Sequence, residues 1–328
     1  MQILLSQTAH ARIAHRLAAL GPDLDVVTMD TGGVFRRGDA VIDGAEVDAE
    51  VFWVSLDQFR SGQLPAFFGR ILQGTKGKWA QLFSAGIDNP AFKMVMGKGI
   101  RLSKSSAQAP AIAEYVMCHA LSLLSPIAEY RRAQDAHDWK TVSYREIAST
   151  RWLMLGFGAI GKEIARRLQP FGAPLTVVRR HAAPEPLAAQ VRPTADLLGL
   201  LPEADVVVLA SALNDATRGI AGADFFAAMK PGGILINIGR GGLVDEAALK
   251  AGLDRDRPAH AVLDVFETEP LPAESWFWDH PKVRVTGHCA GAGDGVPGRG
   301  DALFLENLRR YRAGEALLNE ASKSEVGL

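Results

Sequence analysis

"WLMLGFGAIGKEIARRL", residues 152–168, decides the fold. Its opening run is apolar without a break, which is how a strand buried on both faces reads. Gly156, Gly158 and Gly161 follow in G-x-G-x-x-G spacing, and "KEIARRL" leads out with helical periodicity. The bare glycine pattern is weak, since a chain with this glycine content produces it by chance about 0.3 times. The strand before it and the helix after it give the glycines mechanical work. Gly156 permits the tight turn, Gly158 lets an anion approach bare backbone, and Gly161 lets helix pack closely on strand. The anion then lies on the helix N-terminus. The stretch is therefore predicted to bind a dinucleotide through Gly156, Phe157, Gly158, Ala159, Ile160 and Gly161. "GTKGKW" (74–79) imitates a phosphate loop but lacks the upstream glycine and a Ser or Thr after Lys78.

Outward from that stretch the pattern repeats. "LTVV", "DVVVLA", "GILINIG", "HAVLDVF" and "VRVTG" are further buried-strand runs, separated by helical or turn segments. Toward the N-terminus, "QILLS", "DVVTM", "EVFWVSL" and "WAQLFSAG" alternate with helical segments such as "TAHARIAHRLAAL". Two successive β-α-β alternations predict an α/β protein with two doubly wound parallel sheets. Between them lies "APAIAEYVMCHALSLL" (109–124), apolar nearly all round, which predicts a helix buried between domains or in a subunit contact. "GAGDGVPGRGD" (291–301) reads as a loop, and "DALFLENLRRYRAG" as a helix with Asp301 as N-cap and Gly314 as stop.

The bulk numbers fit this plan. A chain of 328 residues is long for one core, so two domains are expected. Lys plus Arg (36) nearly cancel Asp plus Glu (37), so net charge draws the protein to neither nucleic acid nor membrane. Two cysteines make no disulfide framework and no metal quartet. The N-terminal stretch has no basic region ahead of its apolar patch, unlike a secretion signal, and the apolar run 111–124 is too short and too polar to span a bilayer. The expected compartment is the cytosol.

About twenty residues past the glycine loop, an NAD-binding domain places Asp or Glu to accept from the ribose 2′-hydroxyl. Here the strand tip reads "VVRRH" (177–181), with Arg179 and Arg180 in place of an acceptor. A guanidinium is the side chain best matched to a phosphate. The prediction is NADP(H) in preference to NAD(H), with Arg179 or Arg180 on the 2′-phosphate; the bland reading is two solvated arginines at a strand end.

Open parallel sheets bind ligands outside the carboxyl ends of their strands. Three successive strand runs here end in Arg240, in Asp264 followed by Glu269, and in His288. Each has a dull reading alone: a capping arginine, a solvated turn glutamate, a loop histidine. A cation, a carboxylate and an imidazole at adjacent strand ends are far less expected by accident.

In these stretches the chain resembles the D-isomer-specific 2-hydroxyacid dehydrogenases. "LGFGAIGKEIARRLQPFG", "MKPGGILINIGRGGLVDEAAL", "AVLDVFETEPLP" and "VTGHCAG", with "FSAGID" and "PAIAEYVM" upstream, keep the family's order from about residue 80 to 310. The resemblance implies a Rossmann nucleotide domain, 107–293, inserted into a flavodoxin-like substrate domain, 1–106 plus 294–328. It implies Arg240, Glu269 and His288 as the catalytic set, Asp264 and Ile238 beside the cofactor, and Ala85 and Gly86 on the substrate carboxylate. Arg240 would also hold substrate, and Trp139 would reach the substrate of a neighbouring subunit. The reaction implied is hydride transfer between a nicotinamide and C2 of a small 2-oxo or 2-hydroxy acid, with His288 moving the proton in a homodimer joined through the nucleotide domain.

Within the family the chain looks most similar to glyoxylate/hydroxypyruvate reductases. Phosphoglycerate dehydrogenases fit less well, because no basic cluster for a phosphate stands out near the N-terminus, and formate-type relatives carry Gln where Glu269 stands. Three departures are visible, one of them the tail "GAGDGVPGRGD", richer in glycine than is usual in the family. Gly287 replaces a proline before the histidine, and "SALNDAT" (211–217) replaces a proline-containing stretch of the nicotinamide pocket. The rival reading is a non-catalytic relative that senses the dinucleotide and reports it to a protein partner, which retention of all three catalytic side chains opposes.

Overall fold

The computed structural model describes residues 1–87 and 89–328. The chain divides into two compact units, 1–108 with 294–328, and 109–293.

The first unit is built on seven described strands in the order β4-β3-β2-β1-β5-β6-β7. They are β1 (Gln2–Ser6), β2 (Asp25–Met29), β3 (Phe35–Arg37), β4 (Ala40–Val41), β5 (Val51–Val54), β6 (Trp79–Leu82) and β7 (Arg101–Ser103). Its helices are α1 (Gln7–Ala18), α2 (Leu56–Arg60), α3 (Leu64–Gln73), α4 (Pro90–Gly97) and, from the far end of the chain, α11 (Val296–Ala313). Strands β2-β1-β5-β6-β7 are parallel, in the flavodoxin-like order. The edge pair β3–β4 is antiparallel, a departure from the all-parallel expectation. Gly38, at φ +59°, and Asp39 supply its turn, a backbone that favours glycine.

Helix α11 corrects the sequence reading in one respect. It begins at Val296, inside the segment expected to be a loop, so Asp301 is no N-cap but an interior residue. Pro297 sits in the first turn, where its missing N–H costs nothing. A Cβ on Gly300 would meet the Trp53 ring at 3.3 Å, so the glycine permits close approach to the sheet. Asp301, 1% exposed, takes the Trp53 Nε1–H at 2.9 Å and the Arg12 Nε–H at 2.6 Å. Arg12 also donates to both oxygens of Asp57. Trp53 and Trp79 stack on Phe304, and Trp79 on Tyr311. The buried rings of Trp53, Trp79 and Phe304 each contribute roughly 2–3 kcal/mol by area, which fastens the C-terminal helix to the N-terminal sheet.

The second unit has the order β10-β9-β8-β11-β12-β13-β14, parallel throughout, a Rossmann sheet. Its strands are β8 (Trp152–Leu155), β9 (Leu175–Val178), β10 (Gln190–Arg192), β11 (Val206–Leu209), β12 (Ile234–Asn237), β13 (His260–Leu263) and β14 (Val283–Val285). Its helices are α5 (Ala109–Leu124), α6 (Ile127–Asp135), α7 (Ala159–Leu168), α8 (Leu197–Leu200), α9 (Ala223–Ala228) and α10 (Glu246–Leu253). Strand order reverses between β8 and β11, the switch point at which such sheets take ligands.

Helix α5 buries one stripe, Ile112, Ala113, Val116, Met117 and Ala120, in this unit's own core against Ile164 and Leu168 of α7. Glu114, Cys118 and Leu121 on its other side are exposed. It is thus a core helix with one free face rather than a helix buried all round. Among the described residues no single helix is long and apolar enough to cross a membrane.

Candidate active site

The glycine turn follows β8 directly. Gly156 has φ +90°, and a Cβ there would lie 2.7 Å from the Ser211 backbone after β11. Only glycine fits at that crossing of two strand ends. Gly158 stands at the N-cap of α7 with open space where a Cβ would be, and no side chain caps the helix. The first N–H groups of α7 therefore face a bare approach, the geometry that accepts a pyrophosphate. A Cβ on Gly161 would press on Met154 Sδ at 3.0 Å and Phe157 at 3.1 Å, so this glycine serves helix-to-strand packing. The Ser211 hydroxyl beside the turn is buried without a protein partner. Cradle, bare helix end and orphaned hydroxyl fit a dinucleotide.

Arg179 continues the β9 ladder through its N–H to Arg192 O at 3.1 Å. One terminal guanidinium nitrogen donates to Ala183 O at 2.6 Å, and its Nε is buried with no partner. Arg180 is exposed. No carboxylate pairs with either among the described residues, so neither arginine is explained by an internal ion pair.

Arg240, Asp264 with Glu269, and His288 follow β12, β13 and β14, three neighbours in the sheet. Asn237 at the end of β12 donates to Arg240 O at 3.0 Å and accepts from Gly239 N at 3.1 Å, which shapes the turn into Arg240. Arg240 Nη1 donates to Gly239 O at 2.7 Å. A Cβ on Gly241 would fall 1.8 Å from Phe266 C, so the backbone after Arg240 lies directly against the turn that carries Glu269. Glu269 Oε1 accepts from Phe266 N at 2.9 Å, and its Oε2 lies 2.7 Å from His288 Nδ1. The His288 side chain is 54% exposed. With Nδ1 committed to Glu269, Nε2 is the nitrogen left for a reacting group.

His288 has φ +51°, the left-handed region, which costs a non-glycine residue roughly 1 kcal/mol or more. What holds it there is Asp264, 3% exposed. Its backbone oxygen accepts from His288 N at 2.8 Å. Its Oδ1 accepts from Thr286 Oγ1 at 2.6 Å and Cys289 N at 2.8 Å, and its Oδ2 from Ala290 N at 2.9 Å. Expected beside the cofactor, Asp264 has both carboxylate oxygens engaged by its own chain.

Thr286 was not singled out by sequence, nor was Tyr115, whose hydroxyl lies 2.7 Å from Thr286 Oγ1. Nothing in the spacing of "AEYVMCH" marks the tyrosine, whereas a threonine two residues before the histidine was a usable signal. Ile238 is buried at the end of β12. Gly287 has no left-handed φ and open space at its Cβ position. "SALNDAT" closes a local turn, with Ala216 N on Asn214 Oδ1 and Thr217 Oγ1 on Ala212 O. In the first unit, Ala85 and Gly86 follow β6, where Ser84 Oγ donates to Gly86 O. Asp88 of the "FSAGID" stretch lies outside the described residues. Trp139 is wholly exposed.

A Rossmann sheet with a nucleotide cradle at its switch point and a carboxylate-bonded imidazole three strands away belongs among the dinucleotide-dependent oxidoreductases. Residues 117–290 match the family model described as D-isomer specific 2-hydroxyacid dehydrogenase, NAD binding domain, and the chain belongs to this family. It is 30% identical over 232 residues, 66% of this chain and 70% of the other, to the glyoxylate/hydroxypyruvate reductase A of Serratia proteamaculans. Two solved structures match along nearly the whole chain. A D-isomer specific 2-hydroxyacid dehydrogenase from Xanthobacter autotrophicus, in complex with NADPH and MES, has a TM-score of 0.78 at 28% identity, covering 99% of each chain. An NADPH-dependent glyoxylate/hydroxypyruvate reductase from Sinorhizobium meliloti, in complex with NADP and sulfate, has 0.76 at 25%, again covering 99% of each.

Proposed function

We propose that this chain is an NADP(H)-preferring reductase of small 2-oxo acids of the glyoxylate or hydroxypyruvate class. The observation that carries the reading is the His288–Glu269 pair, 2.7 Å apart at Nδ1, with the His288 side chain 54% exposed. The names of the Serratia and Sinorhizobium relatives support the substrate class, and the NADP-bound relatives support the cofactor.

Gly156 to Gly161 and the uncapped end of α7 hold the pyrophosphate, and Arg179 or Arg180 the 2′-phosphate. A nicotinamide bound there would supply the hydride that reduces C2. Arg240 grips the substrate carboxylate by charge-assisted hydrogen bonds and polarises the neighbouring carbonyl. Negative charge that builds on the carbonyl oxygen during reduction would be met by a proton from His288 Nε2. Glu269, hydrogen-bonded at Nδ1, fixes the ring's orientation and leaves Nε2 for the transfer. In the reverse direction the neutral ring takes the hydroxyl proton.

The protein acts as a cytosolic homodimer joined through the nucleotide unit. Helix α6 buries no residue, and Ile127, Tyr130, Trp139 and Tyr144 leave an apolar arm exposed, a surface that a second copy of the chain covers. Sedimentation showing a monomer at micromolar concentration would remove that assignment.

Absorbance at 340 nm with NADPH and a panel of 2-oxo acids tests the main reading. NADPH oxidation with glyoxylate or hydroxypyruvate is expected, lost in His288→Ala while NADPH still binds. Tight NADPH binding with no turnover across the panel would overturn it in favour of a dinucleotide sensor.

A further inference from the structure

Behind the turn that carries His288 runs a hydrogen-bonded chain that the reaction as described leaves unused. Tyr115 on α5 lies 2.7 Å from Thr286 Oγ1, and Thr286 Oγ1 lies 2.6 Å from Asp264 Oδ1. The direction of the chain follows from counting hydrogens. A threonine hydroxyl has one, and the carboxylate is an acceptor only, so Thr286 gives its hydrogen to Asp264 and Tyr115 must donate to Thr286. Burial pushes the Tyr115 phenol up to about 12, so it keeps the proton it donates. Its ring lies tilted against His119, centroids 4.3 Å apart, and burial holds that imidazole below its usual value. About two turns further along α5, Ser122 Oγ accepts from Arg284 of β14. Helix α5 is thus clamped to β14 and the turn after it at two levels, and the level nearer His288 ends on the carboxylate that fixes the 286–290 backbone.

We propose that Tyr115 is a positioning residue for proton transfer: through Thr286 and Asp264 its hydroxyl holds the His288 turn in its left-handed conformation. The claim rests on His288 being the acid/base of the reaction proposed above. A phenol that was merely a satisfied buried group would need one acceptor and nothing more. Here the acceptor it uses is the one whose own hydrogen reaches Asp264, and Asp264 binds His288, Cys289 and Ala290 through the backbone. Restricting Thr286 Oγ1 to one rotamer aims that hydrogen continuously at Oδ1.

The test is a cycle of Tyr115→Phe and Thr286→Val, both of which keep shape and remove a hydroxyl, with Thr286→Ser as rescue. Tyr115→Phe should lower kcat about tenfold, with KM for the oxo acid and Kd for NADPH within about twofold of wild type, as expected for an effect confined to the proton-transfer step. Thr286→Val should cost at least as much, and the double variant should lose no more than Thr286→Val alone. Thr286→Ser should restore activity. Wild-type kcat in Tyr115→Phe, losses that multiply in the double variant, or a fall in NADPH affinity equal to that in kcat would each overturn the proposal. The His288 ring resonances, assigned with His288→Gln, give an independent reading on protein that need not turn over. They should shift in Tyr115→Phe and in Thr286→Val, and unmoved resonances would refute the positioning role. A wild type that reduces no 2-oxo acid, with resonances that do shift, would instead sink the functional reading and leave the geometry standing.

Discussion

Replacing Asp264 by Asn removes one oxygen and leaves the shape. The side-chain oxygen of Asn can still accept from Thr286 Oγ1 and Cys289 N, but its amide nitrogen then faces the Ala290 N–H, donor against donor. One hydrogen bond is lost and a buried N–H is orphaned, a cost of about 1–3 kcal/mol. The two surviving bonds lose their charge assistance, adding about 1 kcal/mol. A total of roughly 2–4 kcal/mol corresponds to a fall of about 4–16 °C in the melting temperature of a unit this size. The same bonds hold His288 at φ +51°, so the turn relaxes and kcat should fall on the order of 10–1000-fold. Differential scanning calorimetry and NADPH oxidation measure the two effects, with fluorescence titration of NADPH as the control. If Asp264 served chiefly as a contact to the nicotinamide, Asp264→Asn would weaken NADPH binding and leave the melt unchanged. That pattern, or a variant wild-type in both melt and turnover, would refute the positional account.

Other outcomes follow from the same geometry. Arg179→Ala with Arg180→Ala should reduce kcat/KM for NADPH about 10–100-fold and leave NADH little changed, the loss of one or two charge-assisted contacts; equal losses with both cofactors would end the phosphate assignment. Gly287→Ala should be active and slightly more stable, by about 0.4–1 kcal/mol, because the position has open space and no left-handed φ, and the gain comes from the unfolded chain. Inactive Gly287→Ala would mean that the turn must move during the cycle. In the first unit, burial alone would raise the Asp57 carboxyl, but hydrogen bonds from Arg12 and Ser55 more than offset it, leaving it below its ordinary value of 3.8. A depressed folded-state value stabilises fully above that pH and is lost as pH falls through the folded value, so the unit should lose stability below about pH 4. Thermal melts of wild type and Asp57→Asn between about pH 2.5 and 6 check this: the variant's curve should be the flatter, and identical slopes would exclude Asp57 as the cause.

The parts of the fold legible in the sequence are those governed by neighbours in the chain. Strands β8, β11 and β12 are unbroken apolar runs because both faces of a parallel sheet are covered, and that pattern needs no tertiary information to see. Helix α11 was misplaced at its start because "GVPGRG" carries every composition mark of a loop. What makes it helical is 247 or more residues away in sequence: the Trp53 ring that Gly300 lets close (300 − 53), and the Arg12 that Asp301 receives. Local propensity argued for a loop, and burial of one aspartate between a tryptophan and an arginine overrode it. The β3–β4 hairpin was legible in principle, since "RRGDA" places glycine and aspartate at a two-residue turn, but the repeating β-α-β rhythm drew the eye past it.

The candidate site divides the same way. Arg240, Glu269 and His288 each follow a readable strand, so their placement at adjacent strand ends was available from order alone. The residues that aim them were not. Order alone reads Asp264 as a group beside the cofactor and gives no sign of its second task. In the folded chain both its oxygens accept from the 286–290 segment. A turn with a left-handed histidine and a glycine before it has little of its own to fix it, so its geometry must be imposed by partners from β13 and α5. This also bears on the missing proline at 287. A proline there would stiffen the turn from within by fixing φ, whereas this chain stiffens it from behind through Asp264, Thr286 and Tyr115. Stability contributed from outside the turn is sensitive to substitutions at those outside residues, which is why Asp264→Asn should cost far more than any change at Gly287 itself.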